Sequence, residues 1–237
     1  MSADSQEEKP KAKAALYIDG FNLYHSVNDL AEPFLKWCNF WRLGETIIPQ
    51  VSERLVKVVF CTAYYPGDFG KKVRHERFIK ALAAVGVETI LGHFSTEPAD
   101  CRSCGRKWHK PTEKASDIHL ALTIYDDAIN NVYDTAYLLT SDTDQAATAR
   151  FIKERQSSKK IVSVSPPGRE HSQHILSHTT HKIALNKDSI ERCLFRNVVF
   201  DSNRTAVLRP HEYDPPDGYV HWDDRPSPKK KGSQSAD

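Results

Sequence analysis

The chain is short of long apolar runs. None approaches the roughly 18–20 residues that a membrane helix needs, so no spanning segment and no membrane partner are expected. Cysteine is sparse as well: 5 in 237 residues, an odd count that argues against a disulfide framework in a chain read as cytoplasmic. The first thirteen residues, MSADSQEEKPKAK, lack the apolar centre of a signal peptide, which makes the cytoplasm the default location and discounts Asn203-Arg204-Thr205 as a glycosylation acceptor. Charge of one sign is lacking too. Lys and Arg number 33 against 31 Asp and Glu, and a net charge of +2 argues neither for nor against nucleic acid. What is present suffices for a core: 39% hydrophobic and 27% charged residues exclude a wholly disordered chain.

Three segments are expected. Residues 1–13 read as a loose arm and residues 14–202 as one folded domain. Residues 203–237 read as a polar, Pro-rich tail in which Tyr213, Tyr219 and Trp222 are docking points on the body or on a partner. Within the domain, short β-branched runs at 14–18, 56–64, 88–93, 135–140 and 160–164 predict strands. Longer periodic patterns at 21–30, 41–48, 71–85, 113–130, 145–154 and 171–178 predict helices. Such alternation predicts a Rossmann-like α/β fold, a parallel sheet flanked by helices on both faces.

In such a sheet, ligands sit beyond the carboxyl ends of the strands. Asp19 ends the first strand in AALYIDGFN, Asp142 ends a later one in AYLLTSDTD, and Asp144 opens the helix that follows. Asp117 borders a stripe of Ile118, Ala121, Leu122, Tyr125, Ala128 and Ile129 that is expected to face the sheet, with Thr112 as N-cap of that helix. Each acid alone reads as a turn, a cap or a dipole partner. Together at one edge they repel one another unless a cation neutralises them, and all-oxygen ligands suit Mg²⁺ or Mn²⁺.

Asp19-Gly20-Phe21-Asn22-Leu23-Tyr24, Glu113-Lys114-Ala115-Ser116-Asp117-Ile118 and Thr140-Ser141-Asp142-Thr143-Asp144 resemble the three signature blocks of the NYN domain, in the PIN-like superfamily of metal-dependent ribonucleases. The resemblance spans about residues 14–194. The third block departs from the pattern: Ser141 stands where the family usually has Gly, and Gln145 where it usually has Phe or Leu. The resemblance implies a PIN-like fold and a phosphodiesterase acting on RNA as an endonuclease. Asp19, Asp117, Asp142 and Asp144 would hold one or two Mg²⁺ or Mn²⁺ ions, and Asn22 would orient a water on the ion or a phosphate oxygen.

Cys101-Arg-Ser-Cys104-Gly105 has the spacing of a zinc knuckle, an insertion at about 95–111. His109 follows and His93 precedes it, so a Cys₂His₂ structural zinc set can be assembled, beside the alternative of two reduced thiols in a loop. His171, His174, His178 and His181 read as a polar helix face. Basic clusters occur at Lys71, Lys72, Arg74 and Arg77, at Arg102, Arg106, Lys107 and Lys110, at 153–160, and at Lys229–Lys231. They suit a polyanion beside an acidic site; Trp108 is available to stack on an unpaired base or to pack on the core, and Tyr64-Tyr65, after the second strand, would border the groove. Single-stranded RNA is the expected partner, because unstacked strands expose the backbone. Self-association is compatible with the sequence. The alternatives are an RNA-binding or regulatory module with a weak or inactive site, and a phosphohydrolase of small molecules. The latter would carry a second Asp two residues after Asp19, where Phe21 stands.

Overall fold

The structure is a computed structural model that describes residues 10–226. Its centre is a six-stranded, all-parallel sheet of β1 (Ala12–Asp19), β2 (Glu53–Thr62), β3 (Glu88–Leu91), β6 (Thr135–Leu139), β7 (Lys160–Ser165) and β8 (His181–Ala184). The order is β3-β2-β1-β6-β7-β8. From β1 the chain winds outward through β2 and β3, then returns across β1 to build β6, β7 and β8 on the other side. The winding reverses between β1 and β6, and their carboxyl ends open a crevice there.

Side-chain alternation along β1 and β2 divides the core. Ala14, Leu16, Ile18, Val58 and Phe60 face one layer, while Ala15, Tyr17, Val59 and Cys61 face the other. Over the first face lie α1 (Gly20–Asp29), α2 (Phe40–Ile47) and α3 (Phe69–Ala84), burying Leu23, Val27, Leu43, Phe78 and Leu82. Over the second lie α4 (Ser116–Ile129) and α5 (Ala146–Arg155), burying Leu120, Ile124, Ala149 and Ile152. Gly20 lets α1 begin against β2: a Cβ there would stand 2.4 Å from the Cys61 carbonyl oxygen. The α/β architecture with both faces covered matches the expectation from the strand–helix alternation.

Several local expectations are corrected. Segment 93–114, read as loop and helix start, forms an antiparallel hairpin of β4 (His93–Asp100) and β5 (Lys107–Lys114). Helix α4 therefore begins at Ser116 rather than Glu113. Thr112 lies in β5 and is not its cap; the N-cap position is Ala115, and the Glu113 carboxylate accepts from the Ser116 amide at 3.0 Å and its hydroxyl at 2.6 Å. The buried face of α4 is Leu120, Ile124, Asp127 and Ala128, while Ile118, Leu122 and Ile129 are exposed. Only one helical turn, α6 (Gln173–Leu176), forms in 171–178. It is followed by α7 (Lys187–Glu191).

Ala12 and Lys13, read as arm, already belong to β1; residues 1–9 lie outside the described residues. Much of the segment read as a tail is packed on the body. β9 (Val198–Phe200) pairs antiparallel with β10 (Ala206–Leu208), Tyr213 and Tyr219 pack on the core, and Arg192 and Arg225 flank the Trp222 ring. Lys229–Lys231 fall outside the described residues. No described helix is long and apolar enough to cross a membrane.

Candidate metal centre

The crevice between β1 and β6 holds the acids. Asp19 ends β1 and caps α1, accepting from the Asn22 amide at 3.0 Å. It is buried, and its second oxygen accepts from the Thr140 hydroxyl at 2.8 Å. The same hydroxyl accepts from the Asp142 amide at 3.0 Å, so Thr140, at the end of β6, couples the two acids. Asp117 arrives from the first turn of α4, whose start is fixed by Glu113 and by Ala115 in the left-handed region, φ 77°.

Among the described residues, Asp19, Asp117 and Asp142 are the one group of three His, Cys, Asp or Glu whose ligand atoms all lie within 4.8 Å of one another. The electrostatics match that crowding. Burial raises the Asp19 carboxyl above its ordinary range, against the lowering effect of its hydrogen bonds. Much of the surface of Asp117 is open, yet partial burial of its carboxyl, then the charges of Asp19, Asp142 and Glu113, push it up to about 6. Three carboxylates converging in one crevice, Asp19 and Asp117 among them raised by burial, offer the all-oxygen donor set that fits a hard divalent cation. Ser141 adds a buried hydroxyl with no partner among the described residues at the same depression.

The remaining sequence candidates stand elsewhere. Asp144 is exposed and outside the cluster, and its amide donates to Asp142 Oδ1 at 3.0 Å. The Asn22 side chain accepts from the Ser141 amide at 3.0 Å, tying α1 to the β6 loop. Of the two departures of the third block, Gln145 has structural work: buried, it donates to the Asp117 carbonyl at 3.2 Å and holds α4 to the start of α5, whereas the bond to Asn22 comes from the Ser141 backbone amide, which Gly would supply as well. Cys101 and Cys104 sit at the hairpin tip, where backbone hydrogen bonds from Cys104 and Ser103 lower the Cys101 thiol. His109 is three pairs along, opposite Pro98. His93 is at the far end of β4, opposite Lys114 and about 23 Å from the tip at 3.3 Å per residue, so the structure does not bring it to the cysteines.

Sequence reasoning quoted Thr140 and Glu113 in the signature blocks without giving either a role, and missed Arg169, which lines the acid depression and pairs with Asp29.

The NYN domain model matches residues 13–185, most of the chain. The chain belongs to the NYN domain family. NYN domains lie within the PIN-like nuclease superfamily, and all three acids of the cluster fall inside the match. A curated relative, 6-hydroxy-3-succinoylpyridine 3-monooxygenase HspA of Pseudomonas putida, is 24% identical over 198 residues, covering 68% of this chain and 62% of that protein. The chain thus spans about three fifths of that relative's length. A crystal structure of a protein of unknown function from Vibrio parahaemolyticus superposes with a TM-score of 0.51 at 20% identity, over 79% of this chain and 98% of that one. That likeness concerns the fold.

Proposed function

We propose that this NYN domain is a metal-dependent ribonuclease that hydrolyses phosphodiester bonds within single-stranded RNA. The observation that carries this reading is the three-carboxylate cluster at the β1/β6 switch point. Asp19, Asp117 and Asp142 would hold Mg²⁺ or Mn²⁺, with Asp144 at the margin. A bound ion of this kind supplies Lewis acidity to the phosphoryl oxygens and to the attacking water. Thr140 fixes the Asp19 carboxylate and the Asp142 backbone, so the ligands are pre-set rather than assembled on binding. Asn22 keeps the Ser141 loop against α1. Arg169 at the rim offers a cation to the substrate backbone, and the open face of the depression admits a single strand.

Cleavage of labelled single-stranded RNA with Mn²⁺ or Mg²⁺, beside EDTA and Asp142→Asn, tests this. Metal-dependent cutting that falls at least about a hundredfold in Asp142→Asn, while RNA binding persists, is the expected result. Equal RNA binding by both proteins with no cutting by either would replace the enzyme with a binding module.

The named activity of the Pseudomonas relative supplies a second reading, oxygenation of a small aromatic acid. An aromatic-walled, cation-rimmed concavity beside the acids favours it. Such a reaction consumes O₂ and a reductant. Oxygen uptake with 6-hydroxy-3-succinoylpyridine and NADH would support it, and its absence alongside RNA cleavage would remove it.

A further inference from the structure

Beside the acid cluster lies a second concavity of about 680 Å³, within the roughly 300–1,000 Å³ that accommodates small molecules. The two depressions share Phe21, His25 and Glu113, so one extended ligand reaches both. Its wall is aromatic. Phe94 meets Phe21 edge-on at a centroid distance of 5.9 Å and Tyr65 at 5.6 Å, and exposed Tyr24 also lines the space.

Its other lining is cationic. Lys36 Nζ stands 5.0 Å from the Tyr24 ring centroid and Lys71 Nζ 5.7 Å from that of Tyr65. Burial, then the charges of Lys71 and Arg74, hold the Lys36 ammonium below its usual value. Arg74 has a counter-charge in Glu212 at 2.7 Å. Lys36 bonds the neutral Asn28 side chain at 2.7 Å, and neither it nor Lys71 enters an ion pair among the described residues. Glu212 answers Arg74 alone, so the two lysines keep like charges side by side, at a cost in free energy that a bound anion relieves.

Flat stacking surfaces beside two uncompensated lysines match the two halves of a nucleotide. We propose that this concavity holds one unstacked nucleotide of the RNA, its base against Tyr24, Tyr65 and Phe94 and its phosphate on Lys36 and Lys71. The inference rests on the ribonuclease reading for the strand that carries this nucleotide into the acid cluster. A paired, stacked base cannot enter, so cleavage requires an unpaired nucleotide next to the scissile bond. Tyr213 and Glu212 line one side of the space and lie beyond the residues matched by the NYN model, so this chain adds a wall of its own.

Calorimetric titration of AMP into the full chain in EDTA tests the pocket without calling on activity. AMP is expected to bind, at least about tenfold more weakly to a Lys36→Gln/Lys71→Gln protein and to Tyr65→Ala, and undiminished to Asp142→Asn. All four positions are at least partly exposed, and a melting curve for each variant checks that it is folded. In single-strand cleavage the lysine pair is expected to raise KM roughly tenfold with little change in kcat. No AMP binding by the wild type, binding unmoved by the lysine and tyrosine changes, or inorganic phosphate binding as well as AMP would each overturn the proposal. RNA cleavage without AMP binding would sink the pocket and leave the ribonuclease. Lysine-dependent AMP binding without cleavage of any RNA would leave the pocket and sink the ribonuclease.

Discussion

Asp117 carries the clearest pH signature of any single residue. Its carboxyl is pushed up to about 6 by partial burial and by three neighbouring acids, whereas an unfolded Asp ionises near 4. A folded value above the unfolded one means that the folded state holds the proton more tightly. The stabilising share is complete below about pH 4 and is lost as pH rises through about 6. In EDTA, the melting temperature of the wild type is therefore expected to fall between pH 4.5 and 7 relative to Asp117→Asn, in which this acid cannot ionise. Parallel slopes for the two proteins would contradict the crowding. At pH 7, added Mg²⁺ or Mn²⁺ is expected to raise the wild-type melting temperature by replacing the missing proton with a cation. At this scale the site was half legible. Asp19 and Asp142 were visible because strand ends announce themselves in apolar runs. The roles of Thr140, Glu113 and Arg169 were not, because a hydroxyl, a carboxylate ahead of a helix and a rim cation gain meaning only from what folds beside them.

Among the elements, α4 shows why a legible helix can be read on the wrong face. Its apolar residues surround the axis, so Ile118, Ala121, Leu122 and Tyr125 form as regular a stripe as the face that is buried. The deciding residue is polar. Asp127 is buried against β1 and β2, accepting from the Tyr17 hydroxyl at 2.8 Å and pairing with Lys57 at 2.9 Å. A hydrophobic pattern cannot foresee a carboxylate at the centre of a helix–sheet interface. Removing it leaves the buried Tyr17 hydroxyl without its acceptor and Lys57 with Glu88 alone, at 3.1 Å. Asp127→Ala is expected to cost about 3 kcal/mol in urea-induced unfolding, and Asp127→Asn less, since the amide still meets Tyr17. Equal, negligible losses would show that the triad is idle. The β4–β5 hairpin was invisible for a related reason. Both strands stand off the main sheet, largely exposed and polar, so no apolar alternation marks them.

Across the whole molecule, the parallel sheet covered on both faces followed from strand–helix alternation but its strand order did not, and the closure of the fold by its C-terminal segment was legible only as the docking points Tyr213, Tyr219 and Trp222. From Asn203 onward the chain is polar, and its aromatic residues come singly, too far apart for any periodicity. Their partners are distant in sequence: Tyr219 meets Phe34 at a centroid distance of 5.1 Å, and Arg42 pairs with Asp223, Arg74 with Glu212 and Glu191 with Arg225. These contacts join the segment to α2, α3, α7 and the turn around Phe34, all on the face opposite α4 and α5. A removable flap would leave the melting temperature unchanged when cut away. A segment that completes the core would uncover Phe34 and leave Arg42 and Arg74 without their acids. Deleting residues 210–237 is accordingly expected to keep a single unfolding transition but lower it by roughly 10 °C, given about 2–4 °C per kcal/mol for a chain of this size. The m-value is expected to fall with the lost buried surface. Because Tyr213 and Glu212 line the concavity beside the acids, AMP binding should weaken in the same protein, whereas stabilisation by Mn²⁺, proposed to rest on the cluster of Asp19, Asp117 and Asp142, should survive. Loss of both together would mean that the segment supports the whole crevice rather than one wall of it.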